Sequence, residues 1–284
     1  MTLPVHHALQ TARAAGAGSL ELSLDLGRSR SMVVIRADGW DVEHRRYPYL
    51  AACKDRTIYY WTGEDFAPLQ RYGSSLIKLV PTTWGAPTFE IDGIKMLPSA
   101  QISPYADAAR KVELIAPRGK RVLDTCGGLG YFADCCVQAG AREVRSFEKD
   151  ADVLWLRQHN PWSPAAGPVL HLTQGDIVQE ITRLADGSFD AVLHDPPRFG
   201  IAGELYGAAF YREIARVLRP GGLLFHYTGT PNKLSSGRDL PQEVTRRLAA
   251  CGFSVQRVGD GLLATKTGRG GAAGLKRPGR DSGP

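Results

Sequence analysis

Residues 121 to 130 read Arg121-Val-Leu-Asp-Thr-Cys-Gly-Gly-Leu-Gly130, a short apolar strand that ends on an acid and runs into a glycine turn. Val122 and Leu123 supply the buried strand and Asp124 stands at its carboxyl end. Gly127, Gly128 and Gly130 let the backbone turn sharply and approach a ligand with no Cβ in the way. A helix is expected over residues 131–139. Strand, acid, glycine turn and helix in this order are how an α/β sheet receives a nucleotide-like cofactor. A glycine turn alone also fits a plain strand-to-helix connection, so the strands that follow decide between the two.

Eighteen residues past Gly130, a second strand over residues 143–147 delivers Glu148, where a carboxylate accepts hydrogen bonds from two vicinal ribose hydroxyls. Residues 170–172 form a third strand, and Gln174-Gly-Asp-Ile177 follows it. That pair suits an adenine, with Asp176 accepting from the exocyclic amine and Ile177 packing on the ring. Residues 189–194 make a fourth strand, apolar without a break over Ala191-Val-Leu193 as in a strand covered on both faces, and run into Asp195-Pro-Pro-Arg-Phe-Gly200. A helix over residues 204–218 is closed by Arg219-Pro-Gly-Gly222, and residues 223–227 make the fifth strand. After a helix at 242–250, strands at 253–258 and 262–265 flank the hairpin-type turn Gly259-Asp-Gly261.

Over residues 105–267 the chain resembles the class I S-adenosylmethionine-dependent methyltransferases. Val-Leu-Asp124 with its glycine loop, Glu148, Gly175-Asp176, Asp195-Pro-Pro and Ala215-Arg-Val-Leu-Arg-Pro-Gly-Gly222 match in order and spacing. The resemblance implies an α/β fold with a seven-stranded Rossmann-like sheet whose last strand is antiparallel. It also implies S-adenosylmethionine as cofactor, bound by Asp124, Cys126, Gly128, Gly130, Glu148, Asp176, Ile177 and Asp195, with Tyr105 covering it. The family loop reads acid-x-Gly-x-Gly-x-Gly, and Cys126 stands at the first glycine position, so a small residue is kept there.

Ahead of this domain, a helix is expected over residues 5–15 and strands over 20–26, 32–37, 58–62, 76–80 and 89–97, with hairpin turns at Asp38-Gly39 and Asp92-Gly93. The chain thus divides into a small β-rich N-terminal domain (1–100), a catalytic domain (101–267) and a basic tail (268–284) rich in Gly, Pro and Arg, which is expected to be disordered. Phe89-Glu-Ile-Asp-Gly-Ile-Lys-Met-Leu97 is similar to the strand-turn-strand that precedes the catalytic domain in spermidine synthases, relatives that use decarboxylated cofactor. Tyr59, Tyr60, Trp61, Phe66, Tyr72 and Trp84 are interleaved with Lys54, Arg56, Arg71 and Lys78. Such a mixture can stack and neutralise a single-stranded nucleic acid, or form a β core with a solvated face.

The chain of 284 residues carries a formal net charge of +6, which permits an anionic partner, although much of the excess lies in the tail. No run of 18 apolar residues occurs, and the first 20 residues read as neither signal peptide nor membrane span, so a cytoplasmic protein without a membrane partner is expected. Five cysteines without C-x-x-C spacing fit reduced thiols rather than disulfides or a metal site.

Methyl transfer is an in-line displacement, so the enzyme must hold the nucleophile close and lead away any proton it sheds. Asp195 is the expected acceptor for an amine nucleophile. Arg198 occupies the place where amino-methylating nucleic-acid enzymes carry an aromatic, and its guanidinium can stack or bind an anionic group. His194 and His226 close the fourth and fifth strands, His226 being the better-placed general base, while alternation along the strand turns His194 toward a helix interface rather than a catalytic role. The expected activity is methylation of a nitrogen or oxygen nucleophile, with RNA ahead of a small-molecule acceptor; a homodimer is compatible with it. A spermidine synthase-like aminopropyltransferase is the alternative, opposed by a glycine loop with no acid after it and by a single carboxylate on the fourth strand. A cofactor-binding subunit without catalysis is the third reading.

Overall fold

The computed structural model describes residues 1–198, 200, 202–229 and 239–268. The first helix, α1 (Leu3–Ala14), carries a proline in its first turn and buries Leu9 and Ala12. It lies on an antiparallel sheet of β1 (Ser19–Leu22), β2 (Ser31–Ile35), β3 (Gly39–Val42) and β4 (Arg45–Pro48), paired in chain order. Val33, Ile35 and Trp40 complete this small core, and Trp40 stacks on Tyr47 with centroids 4.6 Å apart. The strand expected over 20–26 stops at Leu22 because side chains take over the backbone: Asp25 accepts from the amide and hydroxyl of Ser29, and the amide of Gly27 donates to the Ser23 hydroxyl.

A two-stranded ribbon, β5 (Tyr59–Trp61) with β6 (Phe66–Pro68), leads into a second antiparallel sheet. Its strands are β7 (Gln70–Tyr72), β8 (Leu76–Val80), β9 (Thr88–Ile91) and β10 (Ile94–Lys95), in the order β10-β9-β8-β7. Asp92 at φ 49° and Gly93 at φ 77° make the tight turn between β9 and β10. Ile77, Leu79 and Phe89 from this sheet are packed into the core of the following domain rather than into that of α1.

The large sheet is built from β11 (Arg121–Asp124), β12 (Glu143–Glu148), β13 (Leu170–Gln174), β14 (Phe189–His194), β15 (Leu218–Tyr227), β16 (Phe253–Val258) and β17 (Gly261–Lys266). Its seven described strands run in the order β13-β12-β11-β14-β15-β17-β16, parallel except for β17, which is antiparallel to both neighbours. One face is covered by α2 (Pro104–Glu113), α3 (Tyr131–Gln138) and α4 (Ala151–His159) through residues such as Val112, Cys136 and Leu156. The other is covered by α5 (Ile177–Glu180), α6 (Ala208–Val217) and α7 (Leu240–Ala250) through Ile177, Ile214 and Leu248.

The helix expected over 204–218 is two pieces, a 3₁₀ turn at Gly203–Tyr206 and then α6. The fifth strand starts earlier than expected, at Leu218, with Arg219-Pro-Gly-Gly222 looping within it opposite a register shift between Phe189 and Ala191. Strand order reverses between β11 and β14, so a crevice opens at their carboxyl ends. Among the described residues no helix is long and apolar enough to cross a membrane. The expected basic tail lies outside the described residues from residue 269 onward.

Candidate active site

The turn after β11 is held by its own neighbours. Asp124, 1% exposed, accepts the Ser146 hydroxyl at 2.7 Å. Burial raises its carboxyl to about 6 against the pull of that hydrogen bond and of Arg157. The amide of Gly127 donates to the Phe147 carbonyl at 2.7 Å, and that of Gly128 to Glu148 Oε2 at 2.8 Å. Gly128 (φ +49°) presents no Cβ to the Phe89 ring, while a Cβ on Gly130 (φ +85°) would lie 2.5 Å from the guanidinium carbon of Arg157.

These residues form one wall of a cavity of about 340 Å³. Residues 126–130 and Glu148 line it on one side, and Asp195, Pro196, Pro197 and Arg198 lie at the end of β14. Phe89 and residues 95–98 of the N-terminal part complete the lining, with Pro104, Asp107 and Ala108 from α2. Glu148 Oε1 also accepts the Asp150 amide at 2.9 Å, and each carboxylate oxygen keeps acceptor capacity beyond these bonds. A carboxylate with spare acceptors beside a loop that carries no Cβ at residues 127, 128 and 130 fits a nucleoside with two vicinal hydroxyls, as S-adenosylmethionine has.

Behind Asp107, Asp195 and Tyr227 of this lining lies a charged cluster. Lys111, 1% exposed, places Nζ 2.7 Å from Asp107 Oδ2, 3.8 Å from Asp195 Oδ2 and 4.0 Å from Asp260 Oδ2. Its ammonium also stands 4.1 Å from the centroid of the Tyr227 ring. Arg110 pairs with Asp107 at 2.8 Å and with Asp260 at 3.1 Å. Burial raises Asp195 to about 6, opposed by Lys111 and supported by Asp107 and Asp260. The Tyr206 hydroxyl donates to the Pro197 carbonyl at 3.0 Å and holds the proline loop.

Of the residues expected from sequence, Cys126, Gly128, Gly130, Glu148, Asp195 and Arg198 are brought together on this cavity. Others are placed elsewhere. His226 is fully buried, with Nε2 2.8 Å from the Tyr211 hydroxyl and Nδ1 2.8 Å from the Tyr227 carbonyl. Alternation along β15 turns His226 toward α6 and brings Tyr227 to the cavity instead, which corrects its assignment as general base. His194 points the same way, bonded to Thr125 and to the Leu205 carbonyl. Asp176 caps α5 by accepting the Val178 amide and pairs with Lys149 at 2.8 Å, and Ile177 is core; neither lines the cavity. Tyr105 is turned away, its hydroxyl 2.5 Å from Asp134 and its ring against Tyr131 and Trp162. Asp124 lies beneath the loop rather than on the cavity surface.

Asp107 and Tyr227, which line the cavity, and Lys111 and Asp260, which pair behind them, were not expected there. Asp107 and Lys111 are an i,i+4 acid and lysine, which reads as an exposed helix pair, and Asp260 sits in a hairpin turn.

A family model described as methyltransferase domain matches residues 123–226. An uncharacterised protein of Methanocaldococcus jannaschii is 46% identical over 194 residues, 66% of this chain and 66% of that protein. A probable S-adenosylmethionine-dependent methyltransferase of Mycolicibacterium smegmatis is 30% identical over 152 residues, 49% of this chain and 53% of that protein. The aligned stretches thus span between half and two thirds of these relatives' own length. The crystal structure of a spermidine synthase in complex with the transition-state analogue AdoDATO superposes with a TM-score of 0.57 at 14% identity, covering 74% of this chain and 80% of that one, a likeness of fold. The chain thus carries a matched methyltransferase domain, for which S-adenosylmethionine is the cofactor, on a seven-stranded sheet, and shares a fold with spermidine synthase.

Proposed function

We propose that the protein transfers a methyl group to a nitrogen or oxygen nucleophile held against Asp195, with RNA favoured over a small metabolite as acceptor. The observation that carries this reading is that Asp195 opens onto the same cavity as Glu148 and the glycine loop. Bound S-adenosylmethionine supplies an electrophilic methyl carbon. Glu148 holds the ribose hydroxyls through its spare acceptor positions, and the loop amides stand beside them. Asp195 accepts a hydrogen bond from the N–H or O–H of the nucleophile, which aims a lone pair into the cavity and gives the departing proton an acceptor. Phe89, Met96 and Leu97 exclude water from the far side.

RNA is favoured because Lys95 and Arg198 line the cavity and are exposed, so that phosphates outside it meet two cations. The N-terminal aromatics contribute less than their number implies. Trp61 and Phe66 pack edge-to-face within 5.1 Å, Tyr60 lies against Trp155 and His159, and Tyr59 is buried. Only Tyr72, Trp84, Met32 and Ile94 are large exposed apolar side chains among the described residues. Arg56 and Lys78 are both engaged by Glu90.

The test is to incubate the protein with methyl-labelled S-adenosylmethionine and extract from a strain lacking it, then count label in RNA, protein and small molecules. Label in RNA is expected; label confined to small molecules would overturn the RNA reading. Aminopropyl transfer is the second reading, favoured by the cavity wall at residues 89–98 and the fold shared with spermidine synthase. Turnover with decarboxylated cofactor alone would put it first. Loss of turnover in Asp195→Ala with retained cofactor affinity would set aside a non-catalytic subunit.

A further inference from the structure

We propose that Lys111 and Asp260, which lie behind the cavity lining, are positioning residues for Asp195: together with Asp107 and Arg110 they leave it as the carboxylate of the cluster that stays open to the proton shed by the nucleophile. The proposal deepens the reading of this cavity as the site of methyl transfer and rests on it.

The three acids around Lys111 are not equivalent. Asp107 Oδ1 accepts from Arg110 at 2.8 Å and its Oδ2 lies 2.7 Å from Lys111 Nζ, so both of its oxygens are engaged. Both oxygens of Asp260 accept from one guanidinium nitrogen of Arg110, at 3.1 and 3.2 Å. Asp195 Oδ2 stands 3.8 Å from Lys111 Nζ, an ion pair too long for a hydrogen bond. Lys111, 1% exposed and fixed by its bond to Asp107, therefore attracts and orients the Asp195 carboxylate without occupying its lone pairs.

Asp107, Asp195 and Asp260 face two cations, Lys111 and Arg110, so the cluster holds one negative charge in excess. Of its members only Asp107 and Asp195 line the cavity, and since Asp107 is fully engaged, the excess is met at Asp195. Burial raises the Asp195 carboxyl to about 6, Lys111 opposing and Asp107 and Asp260 adding to the rise. An acid poised there is charged near neutral pH and still binds a proton well, as a general base must. Asp195 takes the proton while the nucleophile's electron pair forms the bond to the methyl carbon and the pair of the broken carbon–sulfur bond stays on sulfur. Cys126, Tyr206 and Tyr227 also face Asp195, and burial raises all three, so they remain neutral there.

Lys111 and Asp260 act on Asp195 with opposite signs, which a purely structural role would not reproduce. The test compares each of wild type, Lys111→Met and Asp260→Asn with the same chain carrying Asp195→Asn, by urea unfolding between about pH 4 and 8. Because the folded carboxyl is raised, its stabilising share is full below about pH 4, the unfolded value, and is lost as the pH rises through about 6. Asp124 is common to both members of each pair and cancels. The midpoint of the loss is expected to move up by about one pH unit in Lys111→Met and to move down in Asp260→Asn. Asp260 lies in a turn with its side chain 22% exposed, so its variant decides the matter even if Lys111→Met does not fold. A midpoint that stays put in Asp260→Asn, or that moves the same way in both variants, would overturn the proposal. The acid limb of methyl transfer from labelled S-adenosylmethionine to cell extract is expected to shift in the same directions. Turnover with unmoved midpoints would sink this inference and leave the methyltransferase reading standing; shifted midpoints in a protein that labels no fraction would do the reverse.

Discussion

The amide of Gly128 donates to Glu148 Oε2 at 2.8 Å, so the loop that bounds the cavity is clamped by a carboxylate of the cavity's own wall. Glu148 thereby fixes the loop, and under the proposed function it also faces the ribose. Glu148→Ala is expected to weaken S-adenosylhomocysteine binding by about 1.5 to 3 kcal/mol, the scale of hydrogen bonds to a charged group. Glu148→Gln, which keeps one good acceptor, should fall between. Titration calorimetry decides, and an unchanged dissociation constant in the alanine variant would place the ribose elsewhere.

Gly128 and Gly130 both have positive φ but differ in the room around them. A Cβ at 130 would stand 2.5 Å from the buried Arg157 guanidinium, whereas at 128 the nearest atom is 3.8 Å away on the Phe89 ring. Gly130→Ala should therefore cost the left-handed strain of about 1 to 2 kcal/mol plus the displacement of Arg157, and Gly128→Ala the strain alone. Urea unfolding of the two variants should rank them in that order, and equal midpoints would contradict the crowding.

Asp124 is raised to about 6 by burial, so the folded protein holds a proton that the unfolded chain, with an ordinary carboxyl, has released by that pH. Its stabilising share is full below about pH 4, the unfolded value, and is lost as the pH rises through 6. Wild type is expected to lose stability relative to Asp124→Asn across that window, by about 1.4 kcal/mol for each unit of displacement. Parallel stability curves for the two proteins between pH 4 and 7.5 would show that Asp124 titrates normally.

His226 is expected to matter for folding and not for proton transfer. It is fully buried and bonded to Tyr211, and burial holds its imidazole well below the ordinary range, so it stays neutral. His226→Ala should cost about 2 to 4 kcal/mol through the cavity and the unpaired Tyr211 hydroxyl. Activity per folded molecule, and the pH at which activity rises, should be those of wild type. A shifted pH profile in the folded variant would return His226 to the mechanism.

The parts of the fold that the sequence reveals are those where several residues repeat one requirement. β14 is apolar over consecutive positions because helices cover both its faces, and its limits are read correctly at 189 and 194. β4 and β7 escape notice because Arg45-Arg-Tyr-Pro48 and Gln70-Arg-Tyr72 are short and mostly exposed, so they have no buried face to advertise. At the site, Glu148 and the glycine loop are legible through local spacing. The choice between His226 and Tyr227 is not, since a single-residue change of strand phase exchanges which of them meets the cavity. Lys111 is hidden for another reason: only the approach of Asp195 and Asp260, each more than eighty residues away in the chain, turns an ordinary helical ion pair into a buried centre.

Phe89 and residues 95–98 form part of the cavity, yet the matched methyltransferase domain begins at residue 123. The matched domain therefore supplies only part of that lining, and the small β sheet supplies another part. Two proteins could share every cofactor contact and still accept different molecules if their hairpins differ. Substrate choice in such a chain would then diverge through a short, easily varied ribbon, while the parallel sheet beneath it stays under the constraint of a common cofactor.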